Sequence, residues 1–167
     1  MAGVNPVPSD MHAVAPSLVL RRAVEAIEFY KKVFDAKEIT RLLTPDGRVW
    51  HCELRIGDSV FFVSEELPHS SVKAPSAEAF TSTILRVYVP DADAAFQRAV
   101  DAGARSLRGM SDAFWGDRMG VIADPFGHVW AVSTHVRDVG AEEMRRAGEE
   151  QSREIGLLGG EAAIFGP

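Results

Sequence analysis

The sequence predicts an α+β chain in which one βαβββ pattern is written twice, and three observations carry that reading. Two stretches share the spacing of a helix with one apolar face: Ala26, Phe29, Tyr30 and Val33, then Ala92, Ala95, Phe96 and Ala99. Phe29 and Phe96 lie 67 residues apart, as do Val33 and Val100. Each stretch follows a short strand-like run, Leu18-Val-Leu20 in one case and Leu85-Arg-Val-Tyr-Val89 in the other. Later, Val60-Phe-Phe-Val63-Ser64 matches Val129-Trp-Ala-Val132-Ser133 at an offset of 69. The two-residue drift falls in connecting loops, where insertions cost little.

The elements follow in order. Residues 1–10 read as a flexible leader to a domain spanning 11–138. Repeat one occupies about 13–65, with a helix from Ala23, further strands at 38–43 and 49–56, and a turn at Gly57-Asp58 before the last strand. Residues 66–81, with Pro68 and Pro75, read as the linker. Repeat two occupies about 82–138. Asp91 supplies a helix N-cap and Gly103 a stop, strands follow at 104–108 and 118–123, and Phe126-Gly127 makes the final turn. Residues 139–167 read as a C-terminal helix, at about 141–153, and a Gly-rich frayed tail.

Composition removes several function classes. A net charge of −6 and a pI near 5.4 argue against nucleic acid, whose phosphates need a clustered basic surface. The basic trio Met144-Arg145-Arg146 sits among glutamates, as on a solvated helix face. The sequence has no apolar run of about 20 residues and no basic-then-apolar leader, so no membrane span or secretory signal is expected and the expected location is cytoplasmic. Cys52 is the single cysteine, which excludes an internal disulfide and a multi-cysteine metal site.

Ala26-Ile-Glu-Phe-Tyr-Lys-Lys-Val-Phe34, His51-Cys-Glu-Leu-Arg-Ile-Gly-Asp58, Trp115-Gly-Asp-Arg118 and above all Asp124-Pro-Phe-Gly-His-Val-Trp130 carry a family resemblance. Over roughly residues 12–138 the chain resembles the vicinal oxygen chelate superfamily (glyoxalase, bleomycin resistance protein and dioxygenase), in its PhnB-like branch. The resemblance implies a curled mixed sheet with helices outside and a cleft inside, and commonly a homodimer. Members include metal-dependent lyases, isomerases and dioxygenases as well as metal-free proteins that sequester an antibiotic, so the fold alone does not fix the function.

Strand alternation sorts the side chains. Cys52, Leu54 and Ile56 are expected beneath the helix, the thiol as an inert small hydrophobe. His51 and Glu53 then point to the cleft, with Ser17, Val19, Val60 and Phe62. In repeat two the inward set is Ile84, Arg86 and Tyr88, then Arg118, Gly120 and Ile122, then Val129, Ala131 and Ser133. The expected ligand-binding residues are Ser17, His51, Glu53, Phe62, Arg86, Tyr88, Trp115, Arg118 and Ile122, a mixture of apolar wall and sparse polar groups suited to a small molecule. Phe114 and Trp115 either stack on a flat ligand or cover the cleft mouth. Asp117 and Arg118 form either a ligand-positioning pair or a structural salt bridge. His128 is expected in a structural hydrogen bond, and His135 at the surface or a dimer edge.

By the resemblance, the superfamily's four metal-holding positions fall near Ala15, Phe62, Ile84 and Ala131, none of which carries an imidazole, carboxylate or thiolate donor. The expectation is therefore no metal and no other cofactor. The expected function is a metal-free pocket for a small organic molecule, serving sequestration, resistance or acid/base catalysis, with His51 and Glu53 as the catalytic candidates. The partners expected are that molecule and a second copy of the chain, not nucleic acid or membrane. Two alternatives stay open: a metal-dependent enzyme using His12, His51 and Glu53, and an interaction module with a vestigial pocket.

Overall fold

A computed structural model describes residues 5–76 and 81–157. The start of the expected leader, part of the linker and the expected frayed tail lie outside the described residues. Repeat one runs β1 (Ser17–Leu20), α1 (Ala23–Phe34), β2 (Lys37–Leu43), β3 (Val49–Ile56) and β4 (Ser59–Glu65). Repeat two runs β5 (Ile84–Tyr88), α2 (Ala92–Asp101), β6 (Arg105–Asp112), β7 (Asp117–Ala123) and β8 (Val129–His135). Helix α3 (Ala141–Leu157) follows.

Each repeat makes its own four-stranded mixed sheet, ordered β1-β4-β3-β2 and β5-β8-β7-β6, and the sheets do not close into a barrel. In each, the first and last strands pair in parallel around the crossover helix, and the remaining pairs are antiparallel. The helices start and stop where local chemistry dictates. The Asp91 carboxylate accepts the backbone N–H of Ala94 at 2.9 Å, capping α2. α1 ends at Asp35 in the left-handed conformation, φ 54°.

One core joins the repeats. Ile27, Tyr30 and Val33 of α1 pack with Cys52 and Leu54 of β3, and also with Ala95, Ile122 and Trp130 of repeat two. The Tyr30 and Trp130 rings lie 5.3 Å apart and those of Phe34 and Trp130 5.0 Å apart. Arg98 of α2 donates through Nη2 to the carbonyl of Val33 at 2.9 Å, closing the C-terminal turn of α1. The described part of the linker is also fixed. Arg21 donates to the Pro75 carbonyl at 3.3 Å, and the Glu66 carboxylate accepts the Ala74 N–H at 3.0 Å.

Buried Asp124 fastens the repeats together. It accepts the Tyr30 hydroxyl at 2.7 Å, the Trp130 indole N–H at 3.0 Å, and the backbone N–H groups of Phe126 and His128 at 2.9 Å each. Burial, reinforced by the adjacent carboxylate, pushes the Tyr30 phenol well above its ordinary value. His128 is nearly buried and reaches the Val19 carbonyl at 3.3 Å, the structural hydrogen bond expected of it.

Candidate functional site

Register fixes which side chains share a face, because residues directly opposite across a ladder project together. In sheet one, Phe62 opposes Ser17 on one side and Glu53 on the other. The alternation read along β3 holds: Cys52 and Leu54 are buried, whereas His51 and Glu53 are half-exposed on the face away from α1. Burial pushes the Cys52 thiol up to about 11, so it is an inert protonated group. His51 Nε2 sits 3.1 Å from Glu53 Oε1, and its ring lies 5.4 Å from that of Phe62.

In sheet two, Arg86 opposes Ala131, and Tyr88 opposes Ser133. Across the next ladder, Asp117 opposes His135, Met119 opposes Ser133 and Val121 opposes Ala131. The residues of β7 that share the face of Arg86 and Tyr88 are thus Asp117, Met119 and Val121. The inward placement of Arg118, Gly120 and Ile122 is off by one residue. Ile122 is buried in the core with α2. Arg118 binds Asp93 of α2 at 2.7 Å and Asp112 at 3.3 Å. Gly120 admits the Phe96 ring so closely that a Cβ there would lie 2.7 Å from it. The helix side of β7 is therefore set by contacts with α2.

Asp117 is the centre of a side-chain cluster on the face of sheet two away from α2. Its carboxylate is 2% exposed and collects four side-chain donors. Oδ2 accepts Tyr88 Oη–H and Trp115 Nε1–H, each at 2.8 Å, and Arg86 Nη1–H at 3.3 Å. Oδ1 lies 2.9 Å from Nδ1 of His135, whose other ring nitrogen lies 3.1 Å from Asp138. Burial alone would raise the Asp117 carboxyl. The hydrogen bonds from His135, Tyr88 and Trp115 outweigh it and hold the group below the ordinary carboxylate value. His135 shifts upward, because Asp117 and then Asp138 favour its cationic form. Asp117 and Arg118 are not partners of each other, and His135, though exposed, belongs to this cluster.

The guanidinium of Arg86 lies 5.5 Å from the centroid of the Trp115 ring, and Phe114 packs edge-on to Trp115 at 5.0 Å. The loop is held by Gly116 (φ 96°), where a Cβ would lie 2.0 Å from the Arg137 carbonyl oxygen. Behind the cluster, Met119, Val121, Val129 and Ala131 form a buried apolar floor. A pocket of about 240 Å³ lies between the repeats, lined by Pro16, Asp58 and Val60 of repeat one and Arg86 and Tyr88 of repeat two.

The expected residues thus fall into two groups: Ser17, His51, Glu53 and Phe62 on sheet one, and Arg86, Tyr88 and Trp115 on sheet two. The superfamily's metal positions do not fit a cation. Phe62, Ile84 and Ala131 offer only hydrocarbon, and Ala131 is fully buried. Among the described residues no group of three or more His, Cys, Asp and Glu is arranged to hold a metal ion. His12 lies 3.7 Å from Asp58 rather than joining His51 and Glu53. No helix among the described residues is long and apolar enough to cross a membrane.

Two βαβββ units with parallel first and last strands define the fold class, and comparison with known proteins gives the family. The model of the Glyoxalase/Bleomycin resistance protein/Dioxygenase superfamily matches residues 12–132, and the chain belongs to that superfamily. It is similar to uncharacterized proteins of Mycobacterium bovis and Mycobacterium tuberculosis, each 39% identical over 142 residues, or 83% of this chain and 93% and 84% of theirs. Among solved structures it resembles TioX from Micromonospora sp. ML1, with TM-score 0.59, 24% identity, and coverage of 75% of this chain and 99% of that one. An Arabidopsis thaliana gene product has TM-score 0.57 and 28% identity over 72% of this chain and 97% of its own. The fosfomycin resistance protein FosX of Mesorhizobium loti has TM-score 0.55 and 15% identity over 80% and 97%.

Proposed function

We propose that this chain is a cytoplasmic, metal-independent member of its superfamily that binds a small organic molecule, as a sequestering or resistance protein. The observation that carries the reading is Arg86. It is an exposed guanidinium held by a buried carboxylate and a tryptophan ring, beside the pocket and above an apolar floor. A few fixed polar groups on an apolar wall are the usual makings of a small-molecule site. The hydrocarbon side chains at the family's metal positions support binding without a cation.

The site is completed by a second copy of the chain. Ile84 and Tyr88 share the face of Arg86 and are exposed, and the reading has a second copy of the chain cover them. The test combines three measurements on protein purified without chelators: elemental analysis, molar mass in solution, and thermal shift against a broad panel that includes fosfomycin. Sub-stoichiometric metal, a dimer mass and saturable stabilisation by a panel member are expected. About one bound metal per chain, or no stabilisation by any compound, would sink the reading.

A second reading, metal-independent acid/base catalysis, is favoured by the His51–Glu53 pair at 3.1 Å on the half-exposed face of sheet one. Glu53→Gln should then abolish turnover while leaving binding in place. Turnover equal to wild type would remove it.

A further inference from the structure

We infer that the Arg86 side of this site takes a planar carboxylate carried on a flat, apolar body, an aromatic acid being the simplest case. The inference rests on the small-molecule reading above and adds its ligand class.

Arg86 is already oriented. Its Nη1 is engaged by Asp117 at 3.3 Å and its plane lies over the Trp115 ring, so the guanidinium is held from one edge and one face. The fork it presents matches the two oxygens of a carboxylate, and binding there loses less rotamer freedom than a loose side chain would. Asp117 does not consume this charge alone. It also receives hydrogen bonds from Tyr88, Trp115 and His135, which share it with Arg86. Asp138 lies on the far, fully exposed side of His135. Arg86 engages Asp117 through Nη1, and its other N–H groups are the ones a second carboxylate would meet.

The surroundings select a flat apolar body. Tyr88 is 56% exposed beside Arg86, Ile84 is exposed one pair further along β5, and Val60 lines the pocket opposite them. The pocket reaching Arg86 and Tyr88, at about 240 Å³, is below the roughly 300–1,000 Å³ of sites for drug-sized ligands and suits a compact molecule. A phosphoryl group is a poorer match. The nearby N-terminus of α2 has two of its N–H groups taken, Ala92 by Thr134 and Ala94 by Asp91, leaving one planar fork in place of a cradle.

The test is calorimetric titration of the full chain with matched acid and amide pairs: benzoate and benzamide, 2-naphthoate and 2-naphthamide, indole-3-acetate and indole-3-acetamide. Each binding acid should bind about tenfold or more tighter than its amide, and inorganic phosphate should bind more weakly than the acids. Arg86→Gln should reduce the acid to the level of its amide, whereas Arg48→Gln, in the β2–β3 turn, should change neither. Arg86→Lys keeps the charge without the fork and should lose most of the preference; full retention would leave plain charge attraction and overturn the assignment. Equal binding of acids and amides, or an acid preference surviving in Arg86→Gln, removes the carboxylate and leaves the small-molecule reading standing. No binding by any acid up to about 10 mM also removes it, and a blank broad panel as well removes both.

Discussion

Asp117 and Asp124 stand at the two ends of β7, both buried, and each accepts a tyrosine hydroxyl and a tryptophan N–H. Their remaining partners differ. Asp124 takes two backbone N–H groups and lies in the seam between the repeats, where its donors are fixed by the fold. Asp117 takes an exposed arginine and an exposed histidine, at the edge of an open face. The same carboxylate chemistry therefore serves architecture at one end of the strand and orients solvent-reaching, charged side chains at the other.

The comparison can be broken by substitution. Asp124→Ala should be the most damaging change, costing about 3 kcal/mol or more, because it strands four donors, three of them buried; chemical denaturation measures it. Asp117→Asn should cost less, about 1–2 kcal/mol, since its outer donors can turn to water, yet it should abolish the ordered placement of Arg86 and with it ligand stabilisation. The tyrosines sharpen the contrast. Tyr30→Phe should cost about 1–2 kcal/mol and Tyr88→Phe about 0.5 or less, and equal costs would erase the distinction.

The smallest effect is in pH dependence. The folded value of His135 is raised, so its contribution is complete below the ordinary 6.5 and is lost as pH rises through the folded value. Asp117 behaves oppositely: its contribution is present above the ordinary 3.8 and is lost as pH falls through the lowered folded value. Stability measured upward from pH 6.5 should therefore fall more in the wild-type chain than in His135→Gln. Parallel curves would dissociate His135 from Asp117.

Much of the frame was legible in the sequence because it rests on local periodicity. Helix spacing placed α1 and α2, and β3 was sorted correctly because one face is buried and the other half-exposed. β7 was misread by one residue because six of its seven residues are buried, so hydrophobic alternation is lost. Its orientation is decided by Asp93 and Phe96, which approach from a helix earlier in the chain. Asp117 was singled out in the sequence, but with Arg118 as its partner; its bonds to Arg86, Tyr88, Trp115 and His135 were not legible. Asp117 draws on partners up to 31 residues away, and no short motif records such a convergence.

The hydrogen bond from Tyr30 to Asp124 and the grip of Arg98 on the end of α1 both cross from one repeat to the other. Neither half can satisfy these groups by itself. A gene cut within the linker should yield two polypeptides that are separately insoluble or molten, yet regain structure when co-expressed. The internal duplication thus survives as symmetry of form without independence of folding.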